Sequence, residues 1–420
     1  MIKKAFLTEL FRAADMQRWN DKIRHVELRE LDYQAHKMAI VYLLGRYEER
    51  KNSGGVDWII LIEHGIFEFL ERLVETDITP QVQRRIEADE QAYERLRAMV
   101  FKHFQPMLPH LDGFEDRFKQ YLSASKKDAR SDLSTKILDA AGFCATRWEW
   151  YRIEEPNKKD YEIHEIEDRF DREWEKFQDL QAISPYKQAT NPCNWETPYD
   201  RIRGFVDLCG NLRFQERWSH LHRVPRTSVL GHMFIVAILS YLFSLEIEET
   251  LKTEEPKKCT KRRFNNFFGG LFHDLPEALT RDIIKPVKES GGVGEIIKKY
   301  EKEQMDRRIY EKRLIPSECV DEMHKFTENE FQSRVMIGDT LECTTSDTIN
   351  QKYHSDAFDP IDGQIIEAAD HLAAFLEAYL AIQNGIVTSE FDRAVCTFKE
   401  KYKDDMPIAG LHFAEIYIDF

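Results

Sequence analysis

Four polar side chains interrupt segments of this sequence that otherwise have the apolar pattern of core helices. His273 and Asp274 are adjacent in FFGGLFHDLPEALTRD, His232 lies in TSVLGHMFIVAIL, and Asp370 lies in IIEAADHLAAFLEA. Burying two imidazoles and two carboxylates together is costly unless they are paired or bind a cation. The set therefore predicts a site for one divalent transition metal, with open positions for water and substrate.

A fifth polar residue accompanies the His-Asp pair. On a helix, Glu277 would follow His273 by four residues and Asp274 by three, so that these groups gather on one side. Any one of these polar residues alone would more often be an ordinary, satisfied polar group of the core. Their occurrence in three separate segments favours a metal site, in which Glu277 is the candidate to protonate a leaving oxygen.

The order His, His-Asp, Asp resembles the defining motif of the HD superfamily of metal-dependent phosphohydrolases. The flanking residues are similar to those of the YfbR-like 5'-deoxynucleotidases, over roughly residues 205–385. The matching residues are Arg217 and Trp218 ahead of His232, and then His273, Asp274, Glu277, Asp282 and Pro286-Val287-Lys288. The sequence departs from that family at Lys285, where a small hydroxyl residue is usual, and in the long loop between the two histidines.

This resemblance implies an HD-type helical fold and a role for each matching residue. Asp282 would orient the attacking water, and Arg217 would hold the phosphate with its bidentate guanidinium. Trp218 would pack against the sugar and favour 2'-deoxyribose. Lys288 would neutralise phosphate charge, although a solvated surface lysine is as plausible. The implied enzyme removes the 5'-phosphate from (deoxy)nucleoside monophosphates with one Mn, Co, Fe, Ni or Zn ion.

Other functions of the same superfamily remain open. A dNTP triphosphohydrolase generally needs more basic residues than the second half offers near the motif. A signalling-nucleotide phosphodiesterase with two metals needs further histidines at helical spacing, which the sequence lacks. A nucleotide-sensing regulatory protein would not need the intact set of four ligands together with Glu277 and Asp282. These considerations favour the monophosphatase.

Helical periodicity dominates the chain and predicts an all-α protein. The segment SPYKQATNPCNWETPYD is rich in Pro, Asn, Thr and Ser and marks the main boundary. We expect a helical domain over residues 1–185, a linker over 186–200 and a catalytic domain over 201–420. Near the end, Asp359-Pro360 fits the start of a helix and Asn384-Gly385 fits its stop.

The first half repeats the motif in a degenerate form. Arg18, Trp19 and His36 parallel Arg217, Trp218 and His232; His64 and Glu68 parallel His273 and Glu277; and ILDAAGFCA aligns with IIEAADHLA. Gly65 and Gly142 stand in place of Asp274 and Asp370, which leaves too few ligands for a catalytic ion. We hypothesise a tandem duplication, with coincidence as the alternative. Since the resembling proteins are homodimers, the halves would form a pseudo-dimer, or the chain itself a homodimer.

The composition limits the partners of the protein. The 420 residues carry a net charge of −15, which argues against a nucleic-acid partner. The seven cysteines are scattered without a CxxC pair, as expected for reduced thiols. The N-terminus lacks the pattern of a signal peptide, and the apolar stretch from Val229 to Leu245 contains a histidine and two serines. We therefore expect a cytoplasmic protein that binds a small nucleotide and no membrane.

Overall fold

A computed structural model of the chain describes residues 2–50, 55–109, 111, 113–124, 132–188, 197–251, 258–283, 290–404 and 406–420. Over these residues the predicted all-α class is confirmed. Short 3-10 and π-helical turns join several of the α-helices. The α-helices are α1 (Lys4–Leu10), α2 (Glu30–Glu49), α3 (Trp58–Glu75), α4 (Pro80–Ala88), α5 (Glu90–Phe104), α6 (Phe114–Ser123), α7 (Leu133–Asn157), α8 (Ile163–Lys176), α9 (Ile183–Gln188), α10 (Pro198–Asn211), α11 (Val229–Thr250), α12 (Thr260–Phe272), α13 (Glu277–Thr280), α14 (Val293–Met305), α15 (Val320–Thr327), α16 (Ser346–Thr348), α17 (Gly363–Gln383), α18 (Ser389–Tyr402) and α19 (Phe413–Ile418).

One small β-hairpin was not predicted. Strand β1 (Arg334–Ile337) pairs antiparallel with β2 (Thr340–Cys343), so that Ile337 lies opposite Thr340. Gly338 takes a φ of 61° in the two-residue turn, a conformation that glycine adopts without strain. The hairpin is too short to have shown an alternating pattern in the sequence.

The most apolar helix, α11, lies in the centre of the core. By length and composition it is the one helix in the described part of the chain that could cross a membrane, but its most apolar window is 100% buried inside the protein. It packs against α2, α12 and α17. A helix that is apolar on every face needs such neighbours on all sides. The burial of α11 agrees with the expectation that this apolar stretch is a core helix and not a membrane span.

The two halves of the chain share a continuous core, which includes the start of α2 packed against the start of α11. Asp32 and Gly231 are the third residues of these two helices, and a Cβ on Gly231 would lie 2.9 Å from Asp32 Oδ1. Ser228 Oγ also donates a hydrogen bond to Asp32 Oδ1 at 2.6 Å. The two helix starts therefore pack directly against each other.

The predicted linker lies largely outside the described residues. Helix α9 ends at Gln188, residues 189–196 are not described, and α10 begins at Pro198 after Thr197, whose hydroxyl accepts from Asp200 N. The division into domains at 1–185 and 201–420 stays a prediction, since the packing joins both halves.

Candidate metal centre

Three packed helices bring the predicted metal ligands together. His232 is the fourth residue of α11, His273 directly follows the end of α12, and Asp370 is the eighth residue of α17. The backbones of α11 and α12 approach closely because Gly270 has no side chain; a Cβ there would lie 2.9 Å from Ala237 Cα. This approach places the two histidine rings 6.0 Å apart, centroid to centroid.

The potential ligand atoms point at one another. His232 Nε2 lies 2.8 Å from Asp370 Oδ1, and His273 Nε2 lies 3.9 Å from the same oxygen. Asp274 Oδ2 lies 3.1 Å from His273 Nε2. One ligand atom each from His232, His273 and Asp370 fits within 4.8 Å. Both histidines are buried, whereas the two carboxylates are about one-fifth exposed, at 20% and 19%. His232, His273 and Asp370 therefore meet at the edge of the core, and Asp274 lies beside His273.

The tautomer of His273 suits a metal ligand. Its Nδ1–H donates to Gly270 O at 2.8 Å, so that Nε2, once it has lost its proton, offers its lone pair on the side of the carboxylates. Nε2 is buried and makes no well-aligned hydrogen bond within the described residues. Metal-binding histidines are usually oriented in this way, with one nitrogen held by a backbone or carboxylate oxygen. The donor set of two imidazoles and two carboxylates thus fits one divalent transition metal.

The charges of the site also favour a cation. Burial lowers the pKa of His273, but the negative charge of Asp274 outweighs it and raises the pKa to about 9. For Asp370, burial raises the pKa, but the hydrogen bond and charge of His232 outweigh it and lower the pKa to about 2. The pKa of His232 is raised as well, because Glu377 and Asp370 outweigh burial and the repulsion from Arg217. The carboxylates thus stabilise the protonated form of both imidazoles, and a bound metal would displace these protons.

Metal binding is therefore expected to tighten as the pH rises. With a pKa of about 9, His273 is protonated near neutral pH, and metal must displace this proton. Each displaced proton changes the metal affinity by up to about tenfold per pH unit. Competition with a chromogenic chelator between about pH 6 and about pH 8 measures this effect. An affinity that did not change over this range would contradict the assignment of His273 as a ligand.

Arg217 and Trp218 lie beside the metal ligands, on the loop that leads into α11. Arg217 Nη1 lies 3.9 Å from Asp274 Oδ2 and 3.9 Å from Asp282 Oδ2. Burial lowers the pKa of Arg217, but the charges of Glu377 and the neighbouring aspartates outweigh it and raise the pKa above its ordinary value. The guanidinium therefore stays charged beside the metal ligands, where it can bind an anionic substrate.

The two candidate catalytic carboxylates follow the His-Asp pair, but not on one continuous helix. The chain turns after Phe272, and α13 begins at Glu277, after Pro276, which has no amide hydrogen to continue a helix. The prediction of a single helix through this segment is wrong, yet Glu277 N still donates to Asp274 O at 3.0 Å. Glu277 is 3% exposed, whereas the side chain of Asp282 is 18% exposed beside Arg217.

Lys288, together with Pro286 and Val287, lies outside the described residues. Its predicted contact with phosphate stays a prediction.

Two acidic residues near the site were missed in the sequence. Glu377 is fully buried and accepts a hydrogen bond from Trp218 Nε1 at 2.9 Å. It follows Asp370 by seven residues, which is two helical turns on the same face, and this spacing was the available signal. Glu330 has its pKa raised by burial, with the charge of Asp274 adding to the effect. No pattern in the sequence pointed to Glu330.

A second Arg-Trp-Glu arrangement lies in the first half. Arg18 Nε donates to both oxygens of Glu149 at 3.0 Å, and Trp19 Nε1 donates to Glu149 Oε2 at 2.9 Å. Trp19 and Trp218 both have a positive φ, at 54° and 58°. Glu149 follows Gly142 by seven residues, as Glu377 follows the aligned Asp370.

The predicted counterpart of His232 in the first half is wrong. Each Arg-Trp loop ends in one antiparallel backbone bridge, whose last residue is Arg29 in the first half and Ser228 in the second. Four residues further on lie Tyr33 and His232, each the fourth residue of its helix. His36 lies one turn later, where its Nε2 is 2.8 Å from the carbonyl oxygen of Val206. The two Arg-Trp loops have the same length. The start of the helix, and not the nearest histidine, therefore identifies the residue of the first half that corresponds to His232.

Tyr33 fills the space that a metal ligand would need in the first half. Its hydroxyl donates to Gly142 O at 3.2 Å, and the guanidinium of Arg18 stacks 3.6 Å from its ring centroid. A Cβ on Gly142 would lie 3.0 Å from the Tyr33 hydroxyl, and one on Gly65 would lie 2.4 Å from the sulfur of Met38. The carboxylates absent from the sequence could therefore not be restored without repacking.

The other predicted residues of the first half do not form a second cluster of histidines. The ring of His64 packs against Tyr121 with 5.0 Å between centroids. Glu68 forms a close ion pair with the buried ammonium of Lys37. A group of three or more metal-binding side chains around one point occurs only once in the described part of the chain, at His232, His273 and Asp370.

Comparison with known proteins agrees with this geometry. Residues 209–398 match the family model described as an HD domain. The chain is also similar to 4'-phosphooxetanocin A phosphatase from Priestia megaterium, with 26% identity over 184 residues, which cover 44% of this chain and 76% of that protein. No solved structure matches the chain significantly. The HD domain, the cluster of ligands and the phosphatase relative support a metal-dependent phosphohydrolase.

Proposed function

We propose that this HD-domain phosphohydrolase removes the 5'-phosphate from (deoxy)nucleoside monophosphates. The observation that carries the proposal is the position of Arg217, whose guanidinium lies 3.9 Å from both Asp274 and Asp282 beside the ligand cluster. A buried arginine beside a metal site suits a monoester phosphate, which presents one compact group of oxygens. The phosphatase relative supports the same reaction type.

The residues around the site divide the work of hydrolysis. A divalent ion bound by His232, His273, Asp274 and Asp370 would polarise the phosphoryl group and make water more acidic. Arg217 would release its contacts with the aspartates and hold the phosphate in a bidentate grip. Asp282 would accept a hydrogen bond from the attacking water and orient it. Glu277 would donate a proton to the 5'-oxygen as the phosphoester bond breaks.

The alternatives of the same superfamily have less support. In the described residues that surround the ligand cluster, Arg217 is accompanied chiefly by carboxylates: Asp274, Asp282, Glu330, Asp370 and Glu377. Such surroundings repel the additional charges of a triphosphate. A two-metal phosphodiesterase needs a second set of ligands, and the described part of the chain groups such residues only once.

A panel of nucleotides tests the proposed substrate class. Metal-stripped protein, re-supplied with Mn or Co, is assayed for phosphate release from deoxy- and ribonucleoside 5'-mono-, di- and triphosphates. We expect release from the monophosphates only. Release of triphosphate or pyrophosphate from dNTPs would move the assignment to the triphosphohydrolases, and hydrolysis confined to cyclic or bridged diesters would move it to the phosphodiesterases.

Trp218 is expected to set the preference for deoxyribose. Its indole is fixed by Glu377 and by Phe391, whose ring centroid lies 5.4 Å away. A rigid indole against the sugar leaves no room for a 2'-hydroxyl. Trp218→Ala should therefore reduce the deoxy-to-ribo ratio of kcat/KM by about 10- to 100-fold, which is the range for steric discrimination in a pocket. An unchanged ratio would show that another residue reads the sugar.

We also infer that the first half serves as a built-in partner for the second. The contact of Asp32 with Gly231 joins equivalent positions, as at the two-fold axis of a homodimer. The expected species is then an active monomer of 49.8 kDa, measurable by sedimentation at assay concentration. Activity that appeared only in a dimer would contradict this arrangement. Cytoplasmic localisation and the lack of nucleic-acid or membrane partners remain part of the proposal.

A further inference from the structure

One buried carboxylate touches both the metal ligands and the substrate-binding pair. Glu377 Oε1 accepts a hydrogen bond from the Thr227 hydroxyl at 2.6 Å and lies 3.3 Å from His232 Nδ1. Glu377 Oε2 accepts from Trp218 Nε1 at 2.9 Å and lies 3.7 Å from Arg217 Nε. The side chain is 0% exposed, so these groups and the nearby guanidinium of Arg223, and not solvent, surround its charge.

The same helix supplies both carboxylates that flank His232. Asp370 and Glu377 are two turns apart on α17, and they face Nε2 and Nδ1 of the imidazole. A carboxylate at Nδ1 favours the tautomer with its proton there, which leaves the Nε2 lone pair for a metal. The orientation of His232 is therefore fixed by the helix that also carries another ligand.

We propose that Glu377 is a positioning residue that couples the metal ligand His232 to the substrate-contacting pair Arg217 and Trp218. This inference rests on the proposed function for the roles of Arg217 and Trp218. Through its two oxygens, Glu377 sets the ring of His232 on one side and the indole and guanidinium on the other. Metal affinity and sugar selectivity should consequently change together when this carboxylate is altered.

The first half offers a matched control. Glu149 accepts hydrogen bonds from Arg18 and Trp19, and a further one from Arg213, but the aligned metal position is occupied by Tyr33 and Gly142. Glu149→Gln thus disrupts an equally buried Arg-Trp-Glu contact at a place with no proposed ligand. Loss of stability alone would be common to both variants, whereas an effect on metal would be specific to Glu377.

The test compares Glu377→Gln with Glu149→Gln in the full-length protein. For Glu377→Gln we expect the dissociation constant for Mn to rise about 10- to 100-fold, the range for loss of a group that orients a metal ligand. At saturating Mn, the deoxy-to-ribo ratio of kcat/KM should be lower in Glu377→Gln than in the wild type, as we expect for Trp218→Ala. Glu149→Gln should keep both values. Wild-type metal affinity in Glu377→Gln, or equal losses in the two variants, would overturn the proposal.

A milder variant keeps the proposal testable if Glu377→Gln does not fold. Thr227→Val preserves the shape of the side chain but removes its hydroxyl, which donates to Glu377 Oε1 and accepts from the guanidinium of Arg223. It should weaken Mn binding by several-fold, the effect of losing one buried hydrogen bond. Unchanged Mn binding would contradict the role of Glu377. Because Mn affinity is measured without substrate, a failure of the proposed nucleotidase activity would not be mistaken for a failure of this inference.

Discussion

Replacing Asp370 with alanine is expected to lower phosphate release at least about a thousandfold. Asp370 Oδ1 faces both histidines, at 2.8 Å from His232 Nε2 and 3.9 Å from His273 Nε2. Metal stabilisation of a phosphoryl transition state supplies several kcal/mol, and a loss of about 4 kcal/mol corresponds to about three factors of ten in rate. The measurement is kcat/KM for a deoxynucleoside monophosphate at fixed Mn, together with the Mn dissociation constant.

Glu367→Ala is the control for Asp370→Ala on the same helix. Glu367 lies one turn earlier on α17, is 38% exposed, and its charge is paired at the surface with Lys401 at 3.1 Å. Its removal should leave the rate and the metal affinity within about twofold, since exposed ion pairs contribute little. If Asp370→Ala kept more than about a tenth of the wild-type rate, a loss of less than about 1.4 kcal/mol, Asp370 would not be a ligand of the catalytic metal.

Replacing Glu277 with glutamine is expected to have the second-largest effect, and one that depends on the leaving group. General acid catalysis contributes about 10²- to 10⁴-fold, so hydrolysis of a deoxynucleoside monophosphate should fall by that factor. An aryl ester such as p-nitrophenyl phosphate has a leaving group that needs little protonation, and its hydrolysis should fall far less. The ratio of the two rates, measured at saturating Mn, reports the role of Glu277.

Equal losses on both esters would exclude Glu277 as the proton donor. Glu330 would then be the next candidate, because burial raises its pKa and it lies close enough to feel the charge of Asp274. Glu330→Gln provides the comparison: under the present assignment it should leave the dependence on the leaving group unchanged. The pair of variants thus decides which carboxyl supplies the proton.

The ligand cluster could be predicted from the sequence because each ligand interrupts an apolar segment. A histidine or aspartate in such a run must find a partner, and His232, His273 and Asp370 find one another. Glu377 escaped notice because a glutamate near the end of an amphipathic helix is usually solvated. Its burial depends on the Arg-Trp loop that folds over α17, which helical periodicity does not reveal.

The positions of helix ends were predicted less well, because tertiary contacts decide them. The stop at Asn384-Gly385 is confirmed: α17 ends at Gln383, and Gly385 takes a φ of 82°. The start at Asp359-Pro360 is wrong by several residues, since α17 begins at Gly363. Ile361 first exchanges two backbone hydrogen bonds of 2.9 Å with Arg334 of the hairpin, which the local sequence could not indicate.

The correspondence between the halves shows the same limit. Matching histidine to histidine led to His36, whereas the helix starts align His232 with Tyr33. Spacing from the Arg-Trp pair was the better guide, because the backbone bridge fixes the length of that loop. The tandem duplication itself stays a hypothesis, supported by the paired Arg-Trp-Glu contacts and the contact of Asp32 with Gly231.

The central claim is that one metal site per chain, in the second half, performs the hydrolysis. The most direct measurement titrates metal-stripped protein with Mn while recording bound Mn and the rate of phosphate release from a deoxynucleoside monophosphate. We predict that activity is absent without metal, rises in proportion to bound Mn and is complete at one ion per chain. Full activity in the metal-free protein, or a rate that rises only with a second ion, would contradict the account.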